Sequence, residues 1–139
     1  MPIALWSQDY WTGHADIDRQ HQTLFALINT LHEAMMEGQG DQVVYQTLQE
    51  LANYTIDHFA TEEALMLAQA YPDYDRHHVQ HERLKRKVQD LLLRLNRDQV
   101  TTTIEVSQFL ADWLIHHIKG EDQKLFQYLH QNIDPNPPA

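Results

Sequence analysis

Apolar residues recur at spacings of three and four along almost the whole chain, the period of one buried helical stripe. Four stripes can be followed. The first reads His21, Leu24, Ile28, Leu31, Met35 and the second Leu48, Leu51, Thr55, His58, Glu62, Leu65. The third reads His77, His81, Leu84, Val88, Leu91, Leu95 and the fourth Val106, Leu110, Trp113, His117. The spacing predicts helices over about 18–37, 41–69, 73–96 and 103–119, with a short one near 121–131. Gly38 and Gly40 surround one break, Pro72 opens another and Gly120 marks a third. Asp41 and Asp73 are placed as N-caps, and Thr102 with Glu105 has capping-box spacing. Long helices joined by short turns are antiparallel neighbours, so the expected fold is all-α, an up-down-up-down four-helix bundle with a short C-terminal helix. Residues 1–17, with Trp6, Tyr10 and Trp11, are expected to pack across it as an ordered arm. Residues 1–131 form one domain on this reading, and 132–139 a proline-rich tail or linker stub.

These stripes carry something a plain core does not. An ionised carboxylate moved from water into packed apolar surroundings is costly unless opposite charge meets it there, yet HFATE puts His58 and Glu62 on the inward face of the second helix. All four stripes contain imidazole, the commonest nitrogen ligand for transition metals. In an antiparallel bundle His21, His77 and His81, near helix starts, share a level with His58, Glu62 and His117, near helix ends. Asp122 completes the set only if the helix is interrupted. Five residues after His117 is about 500° of α-helical rotation, which leaves the two side chains about 140° apart. Gly120 offers an end or distortion that swings Asp122 back towards the core.

Composition narrows the chemistry. The 139 residues include ten histidines and no cysteine, so any metal is held by nitrogen and oxygen. Twenty acidic residues against ten basic ones give a formal charge of −10, which repels nucleic acid and anionic lipid. The N-terminus lacks the basic start and apolar run of a signal peptide, and a cytoplasmic protein without a membrane partner is expected. Five imidazoles and two carboxylates are too many donors for one tetrahedral zinc and suit two six-coordinate first-row ions bridged by carboxylates. The Glu-x-x-His pairs of ferritin-like di-iron proteins are absent, and HEAMM and HERLK each lack the second histidine of a metalloprotease helix.

The set IDRQH, HFATE, HHVQH and WLIHHIKGED resembles the hemerythrins, specifically the bacterial members, over nearly the whole chain. The resemblance implies that His77, His81 and His117 ligate one iron and His21 and His58 the other. Glu62 and Asp122, with an oxo or hydroxo group, would bridge the two Fe2+/Fe3+ ions. Dioxygen would bind reversibly at the open position of the two-histidine iron, taking one electron from each ferrous ion and a proton from the bridge. The implied apolar pocket is Leu24, Phe59, Trp113, Leu114 and Ile118, with Trp113 expected to touch the oxygen site. His14 stands where the family usually has a branched apolar residue, and is either an extra polar group near the site or an arm histidine facing solvent. Met35, Met36 and Met66 are read as packing residues. The leading function is oxygen binding for sensing, storage or delivery, with other small diatomic or anionic ligands also admitted. The alternatives are a di-iron oxidase, peroxidase or nitric-oxide-handling enzyme, and an input module of a larger signalling protein whose partner the residues do not name.

Overall fold

The computed structural model describes residues 3–38, 41–96 and 104–132. Its helices are α1 (Ala15–Met36), α2 (Asp41–Ala68), α3 (Tyr74–Asn96), α4 (Ile104–His117) and α5 (Gln123–Asn132). They form an antiparallel four-helix bundle in which α1 packs on α2 and α4, and α2 packs on α3. The α3 and α4 helices meet through His77, His81 and His117. No helix among the described residues is long and apolar enough to cross a membrane.

Local chemistry sets the helix ends. His14 is the N-cap of α1: its Nδ1 accepts the Ile17 N–H at 3.3 Å, and Asp16 and Asp18 follow in the first turn, where the helix dipole favours negative charge. His14 therefore neither joins the buried donors nor simply faces solvent; its ring also lies against Phe126. Gly38 closes the other end with φ +61. The α2 helix stops in a Schellman motif, with Tyr71 N–H bonding Met66 C=O and Ala70 N–H bonding Leu67 C=O. Ala70 takes the left-handed conformation usually given to glycine, and Pro72 prevents continuation. Asp73 precedes α3 and its carbonyl accepts the His77 N–H, while its carboxylate pairs with Lys124. Asp41 is the first residue of α2, not the one before it. Gly40, Thr102, the side chains of Leu95 and Glu105, and the tail after Asn132 lie outside the described residues.

No break separates α4 from α5. The backbone runs on through a π-helical turn, Ile118–Asp122, in which the Gln123 N–H reaches the Ile118 carbonyl five residues back. Gly120 sits inside this turn without terminating it. One residue more per turn carries Asp122 round to the face of His117, which an α-helix would not do.

The arm lies where its aromatics predicted, except for one. Trp6 packs edge-on to Phe25 at 5.3 Å and near His21 at 6.5 Å, whereas Trp11 is exposed. Asn29 holds the arm by accepting from Ile3 and Ala4 and donating to the Ala4 carbonyl. Buried Asp18 accepts the Thr12 N–H and hydroxyl, both at 2.8 Å. Asp18→Ala strands both donors and should lower stability by about 1–3 kcal/mol in chemical denaturation, with Asp18→Asn recovering part of it. Of the methionines, Met66 is fully buried, Met35 partly so and Met36 exposed, so Met36 is not a packing residue.

The core is divided. One apolar cluster, with Leu24, Phe59, Leu114 and Ile118, fills the bundle. A second, with Ile17, Met66, Tyr71, Leu125 and Phe126, closes the end nearer α5. Along the chain His21, Glu62 and Asp122 fall between members of the two clusters, and His58, His77, His81 and His117 border them.

Candidate metal centre

That intervening layer holds His21, His58, Glu62, His77, His81, His117 and Asp122, all between 0% and 4% exposed. Six of them come from helices whose period turns them inward, Asp122 comes from the π turn, and the antiparallel arrangement levels them.

The two carboxylates divide the imidazoles into groups. Glu62 Oε1 lies 3.1 Å from His81 Nε2 and 3.7 Å from His77 Nε2, and Asp122 Oδ1 lies 3.0 Å from both His77 and His117 Nε2. The opposite oxygens turn the other way. Glu62 Oε2 is 3.4 Å from His58 Nε2 and 3.6 Å from His21 Nε2, and Asp122 Oδ2 is 3.0 Å from His21 Nε2. Two donor clusters result, Glu62, His77, His81, His117, Asp122 and His21, His58, Glu62, Asp122, sharing both carboxylates. Gaps of this size are the edges of a polyhedron around an ion about 2 Å from each donor.

The hydrogen bonding fits cations better than a closed polar network. His117 Nε2 lies 3.1 Å from both His77 and His81 Nε2, so three ring nitrogens converge on one point. His21 Nε2, His58 Nε2 and all four carboxylate oxygens are buried without a hydrogen-bond partner. Such atoms carry a desolvation cost that coordination would relieve. The donor set therefore fits a pair of nitrogen- and oxygen-loving ions.

Electrostatics point the same way. Burial pulls the His21 and His77 imidazoles down, but the Asp122 and Glu62 carboxylates outweigh it and push them up to about 9 and about 10. For His81 burial prevails and lowers the imidazole. Burial would raise the carboxyls, yet His58, His21 and His77 hold Glu62 well below the ordinary range, and His117 and His21 do the same for Asp122. Without metal, imidazolium protons take the place of cations.

Side chains outside the layer, invisible in the stripes, hold three of the rings by hydrogen bonds to Nδ1. His58 Nδ1 donates to Gln20 Oε1 at 2.7 Å, His117 Nδ1 to Gln80 Oε1 at 3.0 Å, and His81 Nδ1 to Glu63 Oε2 at 3.1 Å. With the proton on Nδ1, the Nε2 lone pair faces the centre. Gln20, Gln80 and Glu63 are each the immediate sequence neighbour of a donor on one helix and serve a ring on the next. Adjacency to IDRQH, HHVQH and HFATE was the only signal that could have found them.

The apolar surroundings are split. Leu24, Phe59 and Leu114 line a narrow cavity of about 20 Å3 in the bundle core, where Phe59 also stacks on His81 at 3.7 Å. Ile118 is fully buried beside His117. Trp113 spans both sides: it stacks on His117 at 4.5 Å, lies 5.9 Å from the Phe59 ring and also lines an open surface groove of about 440 Å3.

Comparison with known proteins agrees with this geometry. Residues 12–129 match the hemerythrin HHE cation binding domain. The chain is 33% identical over 122 residues to the bacteriohemerythrin of Pseudomonas paraeruginosa, covering 88% of this chain and 78% of that one. It is 28% identical to the bacteriohemerythrin of Methylococcus capsulatus, covering 88% and 94%. The crystal structure of a wild-type hemerythrin superposes with a TM-score of 0.86 at 26% identity, covering 90% of this chain and 96% of the other. Helix order, buried donor layer and sequence match together establish that this chain belongs to the hemerythrin family.

Proposed function

We propose that the protein binds dioxygen reversibly at a pair of iron ions, the domain spanning residues 1–131. His77, His81 and His117 would hold one iron, His21 and His58 the other, and Glu62 and Asp122 would bridge them. The observation that carries this reading is the division of both carboxylates, each turning one oxygen to each imidazole group. When bound, two ferrous ions supply the two electrons that dioxygen accepts. Three imidazoles on one side and two on the other leave the His21–His58 side with fewer protein donors, and hence the place for an exogenous ligand. Fully buried Leu24, Phe59 and Ile118 exclude water from the layer, and low polarity strengthens each remaining charge interaction. Sensing, storage and delivery all use this same binding step.

Anaerobic ferrous protein given air should develop a visible absorption that vanishes when oxygen is removed, at two irons per chain. Immediate, irreversible conversion to the ferric form would overturn reversible binding and favour an oxidase.

A further inference from the structure

The five imidazoles of the layer are not backed alike. His58 and His117 donate to neutral amides, Gln20 and Gln80, and the Nδ1 atoms of His21 and His77 have no hydrogen-bond partner. Only His81 donates to a carboxylate, that of Glu63. Glu63 is itself clamped. Its other oxygen is in very short contact with His78 Nδ1 and accepts the Tyr74 hydroxyl at 3.4 Å, while the Tyr74 and His78 rings stack at 5.5 Å with an interplanar angle of 12°. The Glu63 side chain is 12% exposed and His78 is 37% exposed, its outer edge 4.0 Å from Glu82. A negative charge thus stands, largely shielded from water, directly behind one imidazole of one cluster.

We infer that Glu63 is a positioning residue that makes the two metal positions electronically unequal, by placing an anion behind His81 and so behind the three-histidine position alone. The inference rests on the di-iron reading above. A carboxylate that accepts from Nδ1 fixes the tautomer and raises the basicity of Nε2. A more basic donor favours the more highly charged ion, so the iron held by His77, His81 and His117 is the easier of the two to oxidise. His78 opposes this effect, because the hydrogen bond it gives Glu63 draws charge away from the oxygen facing His81. The two residues should therefore act with opposite sign, which simple loss of packing would not produce.

The test is the midpoint potential of the iron-loaded protein, with iron per chain measured on each sample. Glu63→Gln keeps an oxygen for His81 but removes the charge. It should retain iron and shift the ferric–ferrous equilibrium about tenfold towards ferrous, about 59 mV for a one-electron couple. His78→Phe keeps the stack on Tyr74, removes the donor to Glu63 and should lower the potential. Two irons in the wild type with an unmoved potential in E63Q, or a shift of the same sign in both variants, overturns the inference. Should E63Q lose its iron, H78F decides alone, and a potential that does not fall overturns it. A wild-type protein without an iron pair overturns the di-iron reading instead.

Discussion

Glu62→Ala should empty both halves of the centre at once, taking iron from two per chain towards none. Glu62 presents Oε1 to His77 and His81 and Oε2 to His58 and His21, so truncation removes a donor from each cluster. It also leaves Asp122 as the sole carboxylate of the layer and deprives His21 and His77 of one of the two anions that raise them. His58→Ala is the matched control. It takes a donor from the two-histidine cluster only and should spare the three-histidine position. Iron determination on both variants, purified alike, separates the cases, and two irons retained in E62A would remove the bridging assignment.

Loading ferrous iron into the metal-free protein near pH 7.5 should release, beyond the one proton of a water that becomes the hydroxo bridge, about two imidazolium protons per chain, because imidazoles must be deprotonated to coordinate. The imidazolium protons come from His21 and His77, which Asp122 and Glu62 hold protonated up to about pH 9 and 10. Calorimetry in buffers of different ionisation enthalpy measures the number directly. Stability of the metal-free form follows from the same groups. An imidazole raised by folding contributes fully below its ordinary value of 6.5, and that contribution is lost as pH climbs through about 9 to 10. The lowered carboxyls act oppositely: Glu62 and Asp122 contribute above their ordinary range near 4, and this is lost as pH falls through their depressed values. Thermal melts of the metal-free protein should therefore peak between the acid and alkaline limbs. With iron bound the imidazoles carry no proton to lose, and the alkaline decline between pH 9 and 10 should disappear. An alkaline decline of equal size in both forms would show that imidazolium is not what replaces the metal.

The placement of Asp122 shows where reading the residues in order stops. Glycine at position 120 signals a departure from the α-helix, but it cannot say whether the chain ends, kinks or widens. The answer is a single π turn, in which the Gln123–Ile118 hydrogen bond keeps the rod continuous while altering its phase. Trp113 shows a different limit. Its stripe position is correct, yet stripe position does not tell that the ring will stack on His117 and border a surface groove while also packing near Phe59. Trp11 and Met36 are apolar residues that the fold leaves in water.

Six of the seven buried donors, and their common level, are legible in the order of residues alone. Helical period fixes the face of each side chain, and short connections force antiparallel neighbours, so His21, His58, Glu62, His77, His81 and His117 had nowhere else to point. Helix-on-helix packing settles which carboxylate oxygen faces which ring, how Asp122 joins them, and that Gln20, Gln80 and Glu63 back their rings from the adjacent helix. Those pairings depend on the register and rotation of one helix against another, set by packing among residues far apart in the chain, and no single stripe records them.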